Sequence, residues 1–140
     1  AVPAIKQGYL PNAISTDLHD GSVNGSALHM PNTMSKFLSM GVSLEDVIRL
    51  STSEPARIIN RPELGNLSIG STADIAVFDL LKGKFGYTDV GGGKIKGKKK
   101  LQIVMTMFGG KIVFDPSGVS YPLWEDIPKD SPYWKKAEDW

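Results

Sequence analysis

The order of the predicted elements is the feature that most restricts how this chain can fold. Residues 12–17 are predicted as one short strand, and two helical segments follow it before any further strand. A lone strand has no partner for its backbone hydrogen bonds, and buried backbone groups without partners are costly. The order therefore indicates that the first sixty residues are the end of a larger fold.

Two helical segments are predicted in the first half of the chain. Apolar side chains recur at helical spacing over residues 33–40, and Gly41 ends that segment. Residues 43–46, Ser-Leu-Glu-Asp, have the pattern of a capping box at the start of the second helix. Pro55 can restart this helix, because proline is tolerated in a first turn.

The second half of the chain is predicted to be strands followed by an irregular arm. The strand-like runs are residues 65–70, 73–79, 101–108 and 111–114. Gly109 and Gly110 predict a tight hairpin between the last two runs. The lysine-rich run 94–100 follows three glycines and is predicted to be an exposed loop. The Pro- and Trp-rich residues 116–140 are predicted to dock their aromatic side chains on a surface.

Composition excludes several classes of protein. The chain has 140 residues, is 41% hydrophobic and 22% charged, and carries a formal net charge of +1. These values are ordinary for a globular domain and do not favour a polyanionic partner. No apolar run approaches the about 18 residues that a membrane helix needs, and no secretory pattern opens the chain. We therefore expect a cytoplasmic protein without a membrane or nucleic-acid partner.

Cysteine and histidine counts limit the possible metal sites. The chain has no cysteine and two histidines, His19 and His29. Disulfides and thiolate ligands are therefore excluded, which is consistent with a reducing compartment. Any metal would have to be held by His, Asp or Glu.

Five segments of the chain resemble the closing part of amidohydrolase-superfamily enzymes, and they follow one another in the same order as in that family. Residues 50–60 and 65–79 resemble the final barrel helix and the strand pair that follows it, and residues 106–115 resemble the closing hairpin. Residues 14–19 resemble the eighth barrel strand, and residues 30–36 resemble a dihydroorotase-like deacetylase subgroup. Together these similarities extend over residues 10 to 120.

The resemblance implies a fold class of α/β plus β. Residues 1–60 would be the last strand and helices of a TIM-type (β/α)8 barrel. Residues 61–115 would be part of a small β-sandwich, and residues 116–140 a C-terminal arm. The implied activity is hydrolysis of an amide or cyclic amide bond in a small molecule, with water activated by one or two divalent metal ions, expected to be zinc.

The resemblance assigns Asp17 two roles, metal ligand and catalytic proton carrier. In a strand, Ala13, Ser15 and Asp17 would share one face, and barrel chemistry occurs at the C-terminal ends of strands. By residue type alone, an Asp at a strand end is more often a turn or capping residue. His19, Met30 and Pro31 are predicted to line the substrate pocket, from their position in the following loop only.

The remaining ligands that the resemblance implies are a His-x-His pair, a lysine and two further histidines from earlier strands. None occurs at a matching position in this chain. We therefore expect the chain alone to be inactive, to bind no metal tightly, and to cover its exposed surface as a homo-oligomer or with another chain. The alternative is a non-catalytic β-sandwich association module. A His-x-His strand upstream in the reading frame would favour the hydrolase.

Overall fold

The structure is a computed structural model that describes residues 1–23 and 26–131. Within these residues, four helices come first, followed by three strands and a single 3₁₀ turn. The helices are α1 (Val2–Lys6), α2 (Met30–Ser39), α3 (Leu44–Arg49) and α4 (Ser53–Ile58). The strands are β1 (Ile75–Thr88), β2 (Lys94–Phe108) and β3 (Lys111–Phe114), and the turn is Trp124–Asp126. The predicted order of helices and then strands is thus confirmed beyond residue 30.

Local capping explains where the main helices begin. The side chain of His29 accepts a hydrogen bond from the Asn32 amide at 3.1 Å, so α2 begins three residues before the predicted position. Pro31 fits this first turn, where its missing N–H costs nothing. The predicted cap of α3 is confirmed, since the Ser43 hydroxyl accepts from the Asp46 amide at 3.0 Å.

The predicted strand over residues 12–17 is wrong. This segment joins no sheet in the described part of the chain, and Asp17 has a φ of 52°, which is left-handed rather than extended. One bond holds the segment to the helices, from the Ile14 amide to the Leu50 carbonyl at 2.8 Å, and Ile14 is buried. A strand exists only by pairing with a neighbour, and no described strand lies beside this segment.

The strands form one antiparallel sheet in the order β1-β2-β3. β1 pairs with β2 from Ile75↔Met107 to Thr88↔Lys94. The predicted hairpin between β2 and β3 is confirmed, with Gly109 and Gly110 both at positive φ as a type I′ turn requires. The described residues contain this one sheet, so the two sheets of a sandwich are not seen.

The predicted strand over residues 65–70 is wrong. The segment forms turns, with Gly65 and Gly70 both at positive φ. The Asn66 side chain accepts from the Ser68 amide at 3.0 Å and from the Ser71 hydroxyl at 2.7 Å. These local side-chain bonds compete with a strand ladder and stabilise the turns.

The lysine run 94–100 is not a loop, contrary to the prediction, but the first half of β2. The actual turn is shorter: Asp89 and Gly93 close it with two bonds, Asp89 N–H to the Gly93 carbonyl and Gly93 N–H to the Asp89 carboxylate. The lysines are therefore free to pair with β1, and Lys99 lies directly opposite Lys82. Pairing with β1 outweighs the low strand preference of lysine and its like-charge repulsion.

The core lies where α2 packs on β2. Met34, Val42, Val47 and Leu101 form a buried apolar cluster there. Beside them Ser35 is fully buried, and its hydroxyl donates to the Pro31 carbonyl at 2.6 Å and accepts from the Leu101 amide at 2.9 Å. The helix and the strand are therefore joined by apolar packing and by one buried polar link.

The arm that follows the sheet begins with a turn around Asp115. The carboxylate accepts bonds from the amides of Val119 and Ser120, both at 2.9 Å, and from the Ser120 hydroxyl at 2.7 Å. The Ser120 hydroxyl bond is the main reason why the pKa of Asp115 is lowered. Trp124 is 73% exposed, so the predicted docking of aromatic side chains is wrong for this residue. The other two tryptophans, Trp134 and Trp140, lie outside the described residues.

Candidate functional site

Asp17 lies at the start of a tight polar turn. The residues from Asp17 to Gly21 are exposed, whereas Ser22, one position further on, is only 8% exposed. The Ser22 hydroxyl donates to the Asp17 carbonyl at 2.7 Å and accepts from the His19 amide at 2.9 Å. A buried serine therefore fixes the main chain on both sides of Leu18, while the carboxylate of Asp17 remains accessible.

His19 is folded back onto its own turn. Its Nδ1 accepts from the Gly21 amide at 3.1 Å, and a side chain at Gly21 would meet the imidazole ring at 3.0 Å. His19 is exposed and does not line the cavity that contains the other two predicted substrate residues. The structure therefore keeps His19 near Asp17 and separate from Met30 and Pro31.

Met30 and Pro31 line an apolar cavity of about 560 Å³ between the first turn of α2 and the sheet. Phe78, Leu101 and Phe114 form much of its opposite wall. The cavity therefore suits an apolar group, either of a ligand or of a packing partner. Asp17 does not line it.

Asp17 instead lines a smaller hollow of about 220 Å³, which it shares with hydroxyl side chains and with Lys36. Lys36 Nζ donates to the Ser26 carbonyl at 2.6 Å and so attaches the loop after Asp17 to α2. Sequence reasoning missed both Ser22 and Lys36. The only signals were a serine five positions after Asp17 and a cation within an otherwise amphipathic helix.

The residues near Asp17 do not make a complete metal centre. No group of three His, Asp or Glu side chains that could hold a metal occurs in residues 1–23 and 26–131. The Asp17 carboxylate is a suitable oxygen donor for a divalent cation, but structural and catalytic zinc sites use three or four protein ligands. Asp17 therefore fits as one donor of a shared centre, and the described residues do not fit a whole one.

The purified chain is expected to retain less than about a tenth of an equivalent of zinc after dialysis. One carboxylate with water ligands binds a divalent ion too weakly to survive dilution. Metal analysis by mass spectrometry tests this, with Asp17→Ala as the matched variant that should give the same value. A full equivalent that is lost in Asp17→Ala would contradict the prediction and would identify Asp17 as part of a complete site.

Comparison with known proteins shows the family. The family model described as "Amidohydrolase family" matches residues 2–113, which is most of the chain. The chain therefore belongs to the amidohydrolase family. The sequence resemblance that indicated this family is thus confirmed. Separately, no helix in the described residues is long and apolar enough to cross a membrane.

Curated relatives include two bacterial deacetylases. The chain is 41% identical over 92 residues to a deacetylase of Brucella anthropi, which is 66% of this chain and 23% of that protein. It is 34% identical over 113 residues to a deacetylase of Agrobacterium fabrum, which is 81% of this chain and 28% of that protein. The chain thus spans between a fifth and a third of the length of these relatives.

Solved structures of two further enzymes resemble the fold. An adenine deaminase has a TM-score of 0.76 and 28% identity, covering 82% of this chain and 31% of that one. A dihydroorotase has a TM-score of 0.74 and 33% identity, covering 81% of this chain and 31% of that one. These similarities support a fold shared with enzymes of the amidohydrolase family. The described residues themselves show helices followed by one small antiparallel sheet.

Proposed function

We propose that this chain supplies a catalytic carboxylate, Asp17, to a metal-dependent amidohydrolase that cleaves the C–N bond of an amide or cyclic amide. The observation that carries the proposal is the exposed carboxylate on a turn that a buried serine holds, within a segment matched by the family. Accessible acids on well-fixed turns are suited to contact a reacting molecule.

The proposed chemistry assigns one proton transfer in each direction to Asp17. Its carboxylate takes a proton from the water that attacks the carbonyl carbon, and it returns that proton to the leaving nitrogen when the C–N bond breaks. A divalent metal, expected to be zinc, supplies Lewis acidity and a more acidic water when bound. Asp17 would be one of several ligands, with the others from earlier strands of the enzyme that contains this chain.

The substrate class is proposed from the relatives and from the cavity. Relatives named deacetylase and dihydroorotase support an N-acyl compound or a cyclic amide. Met30 and Pro31 remain proposed substrate contacts, supported by their common position on the apolar cavity. His19 remains a proposed contact because it lies two residues from Asp17 in the same turn.

Association with other segments or with a second copy is part of the same proposal. Several apolar side chains on the sheet are open to solvent, among them Phe108 at 69% and Val113 at 60% exposure. Surfaces of this kind are normally covered in a stable assembly. A non-catalytic association module would explain this surface equally well, but it gives Asp17 no role.

Hydrolysis assays on the enzyme that contains this chain test the proposal. With added zinc, we expect release of acetate from N-acetylated small molecules or ring opening of a cyclic amide, and loss of either reaction with a chelator. N-methylated amines of similar size, which contain no carbonyl, are the matched control. Failure to hydrolyse any N-acyl or cyclic amide compound in the presence of zinc would contradict the proposal and favour the association module.

A further inference from the structure

We infer that Ser22 is a positioning residue for Asp17: its hydroxyl holds the Asp17 main chain in the conformation that aims the carboxylate. The inference rests on the proposed function of Asp17, but it concerns a residue that has no part in that proposal. Three observations carry it, namely the backbone conformation of Asp17, the bonds of the Ser22 hydroxyl and the burial of Ser22.

The first observation is that Asp17 is held in a conformation that most residues avoid. Its φ of 52° lies in the left-handed region, and Asn60 is the only other non-glycine residue with a positive φ in the described part of the chain. Side chains with a Cβ are disfavoured there, although Asp tolerates the region better than most. Such a conformation persists only when surrounding groups hold it.

The second observation is that Ser22 supplies bonds to both sides of the turn. Its hydroxyl donates to the Asp17 carbonyl at 2.7 Å, with a longer contact of 3.2 Å to the His19 carbonyl, and it accepts from the His19 amide at 2.9 Å. Its own amide donates to the His19 carbonyl at 2.9 Å. The hydroxyl has one hydrogen to donate, and the shorter bond directs it to Asp17.

The third observation is that Ser22 is the buried member of an exposed turn. It is 8% exposed, while its neighbours from Asp17 to Gly21 are exposed. Water cannot readily replace a buried hydroxyl, so loss of this group leaves the Asp17 carbonyl and the His19 amide without their partner. A rearrangement that exposes both groups to water would then be favoured, and the turn would relax toward a negative φ at Asp17.

A change in φ at Asp17 moves the carboxylate, because φ is the rotation about the N–Cα bond and the side chain is attached to that Cα atom. A displacement of about 1 Å in a catalytic group can cost about 100-fold in rate. Ser22 is buried beneath the turn and contacts no proposed substrate residue other than His19, through that residue's main chain. Its loss should therefore lower kcat and leave KM nearly unchanged.

The test in the enzyme that contains this chain compares Ser22→Ala with Ser22→Thr. We expect Ser22→Ala to lower kcat by about 10- to 100-fold with KM within about twofold, which is the usual size of effect for groups that orient a catalytic or ligating residue. Ser22→Thr keeps the hydroxyl and should recover at least half of the loss on a logarithmic scale. Ser71→Ala is the control, because it removes a comparable hydroxyl bond, to Asn66, in a distant turn.

A second readout does not depend on activity. In NMR spectra of the 140-residue chain, a positive φ at Asp17 gives a strong NOE between its own amide and Hα protons. That NOE should weaken in Ser22→Ala, and remain in Ser22→Thr and Ser71→Ala. Melting curves of the three variants identify any general loss of folding.

The outcomes separate this inference from the proposed function. If Ser22→Ala keeps its kcat or its Asp17 NOE while Asp17→Asn is inactive, the inference is wrong and the proposed function stands. If Asp17→Asn keeps its turnover, the proposed function is wrong, and Ser22 then positions no catalytic group whatever the NOE shows. Loss of both kcat and NOE in Ser22→Ala, with recovery in Ser22→Thr, supports the inference.

Discussion

Asp17→Asn is expected to lower the turnover of the metal-loaded enzyme by at least about 10³-fold and to leave its melting temperature unchanged. Asparagine has the same shape and tolerates the left-handed backbone of this position, so the turn held by Ser22 should remain. It cannot take a proton from water at neutral pH. General acid–base catalysis alone contributes about 10²–10⁴-fold, and a weaker metal ligand adds to the loss.

Steady-state kinetics at matched metal content measure the effect of this substitution. Asp20→Asn is the control, because Asp20 is an exposed acid in the same turn and its removal changes the net charge equally. Retention of more than about a tenth of wild-type turnover in Asp17→Asn would show that Asp17 is not the proton carrier and is only a turn residue. An equal loss in Asp20→Asn would point to charge rather than to proton transfer.

Gly97→Ala is expected to destabilise the chain by about 1–3 kcal/mol, because it overpacks the contact between α2 and β2. A methyl group at this position would collide with the Ser39 hydroxyl and would meet the Tyr87 ring at 2.6 Å. Tyr87 is 5% exposed and its hydroxyl donates to the Lys99 carbonyl at 2.8 Å, so the ring has little freedom to move away. Burial raises the pKa of this tyrosine.

Thermal or urea unfolding measures the loss, which corresponds to roughly 4–12 °C in melting temperature. Gly91→Ala is the matched control, because a methyl group there meets its nearest neighbour at an ordinary contact distance of 3.5 Å and the residue has no positive φ. Its stability should lie within about 0.5 kcal/mol of wild type. A Gly97→Ala chain as stable as Gly91→Ala would show that α2 can move away from the sheet.

Features that depend on a few neighbouring residues were predictable from the sequence. The Ser43 cap and the Gly109–Gly110 turn are examples, since each is closed within four residues, from Ser43 to Asp46 and from Phe108 to Lys111. The start of α2 was placed late because a histidine, rather than a more usual residue, caps it.

Features that depend on distant pairing were not predictable in the same way. Residues 12–17 have strand composition but no strand beside them, whereas lysines 94–100 have poor strand composition and pair with β1. In both cases the neighbouring strand decides the outcome, and a local pattern does not contain that information.

The same distinction between local and long-range features applies to the candidate site. Asp17 is a candidate only through its family segment, because residue type alone favours a turn. Ser22 was missed because its role comes from a burial and a bond that exist only once the turn has closed. Likewise, no pattern indicated that His19 would fold back onto Gly21, away from Met30 and Pro31.

The buried link between Ser35 and Leu101 limits how far the sheet can grow. Leu101 lies opposite Leu80 in β1, yet its amide donates to the Ser35 hydroxyl, so that amide faces the edge of β2 that β1 does not occupy. β3 covers this edge only along residues 106–108. A further strand added beside β2 would need the Leu101 amide, which α2 already uses. The helix therefore acts as a stop against continuous strand addition, at a position where an open edge would otherwise invite aggregation.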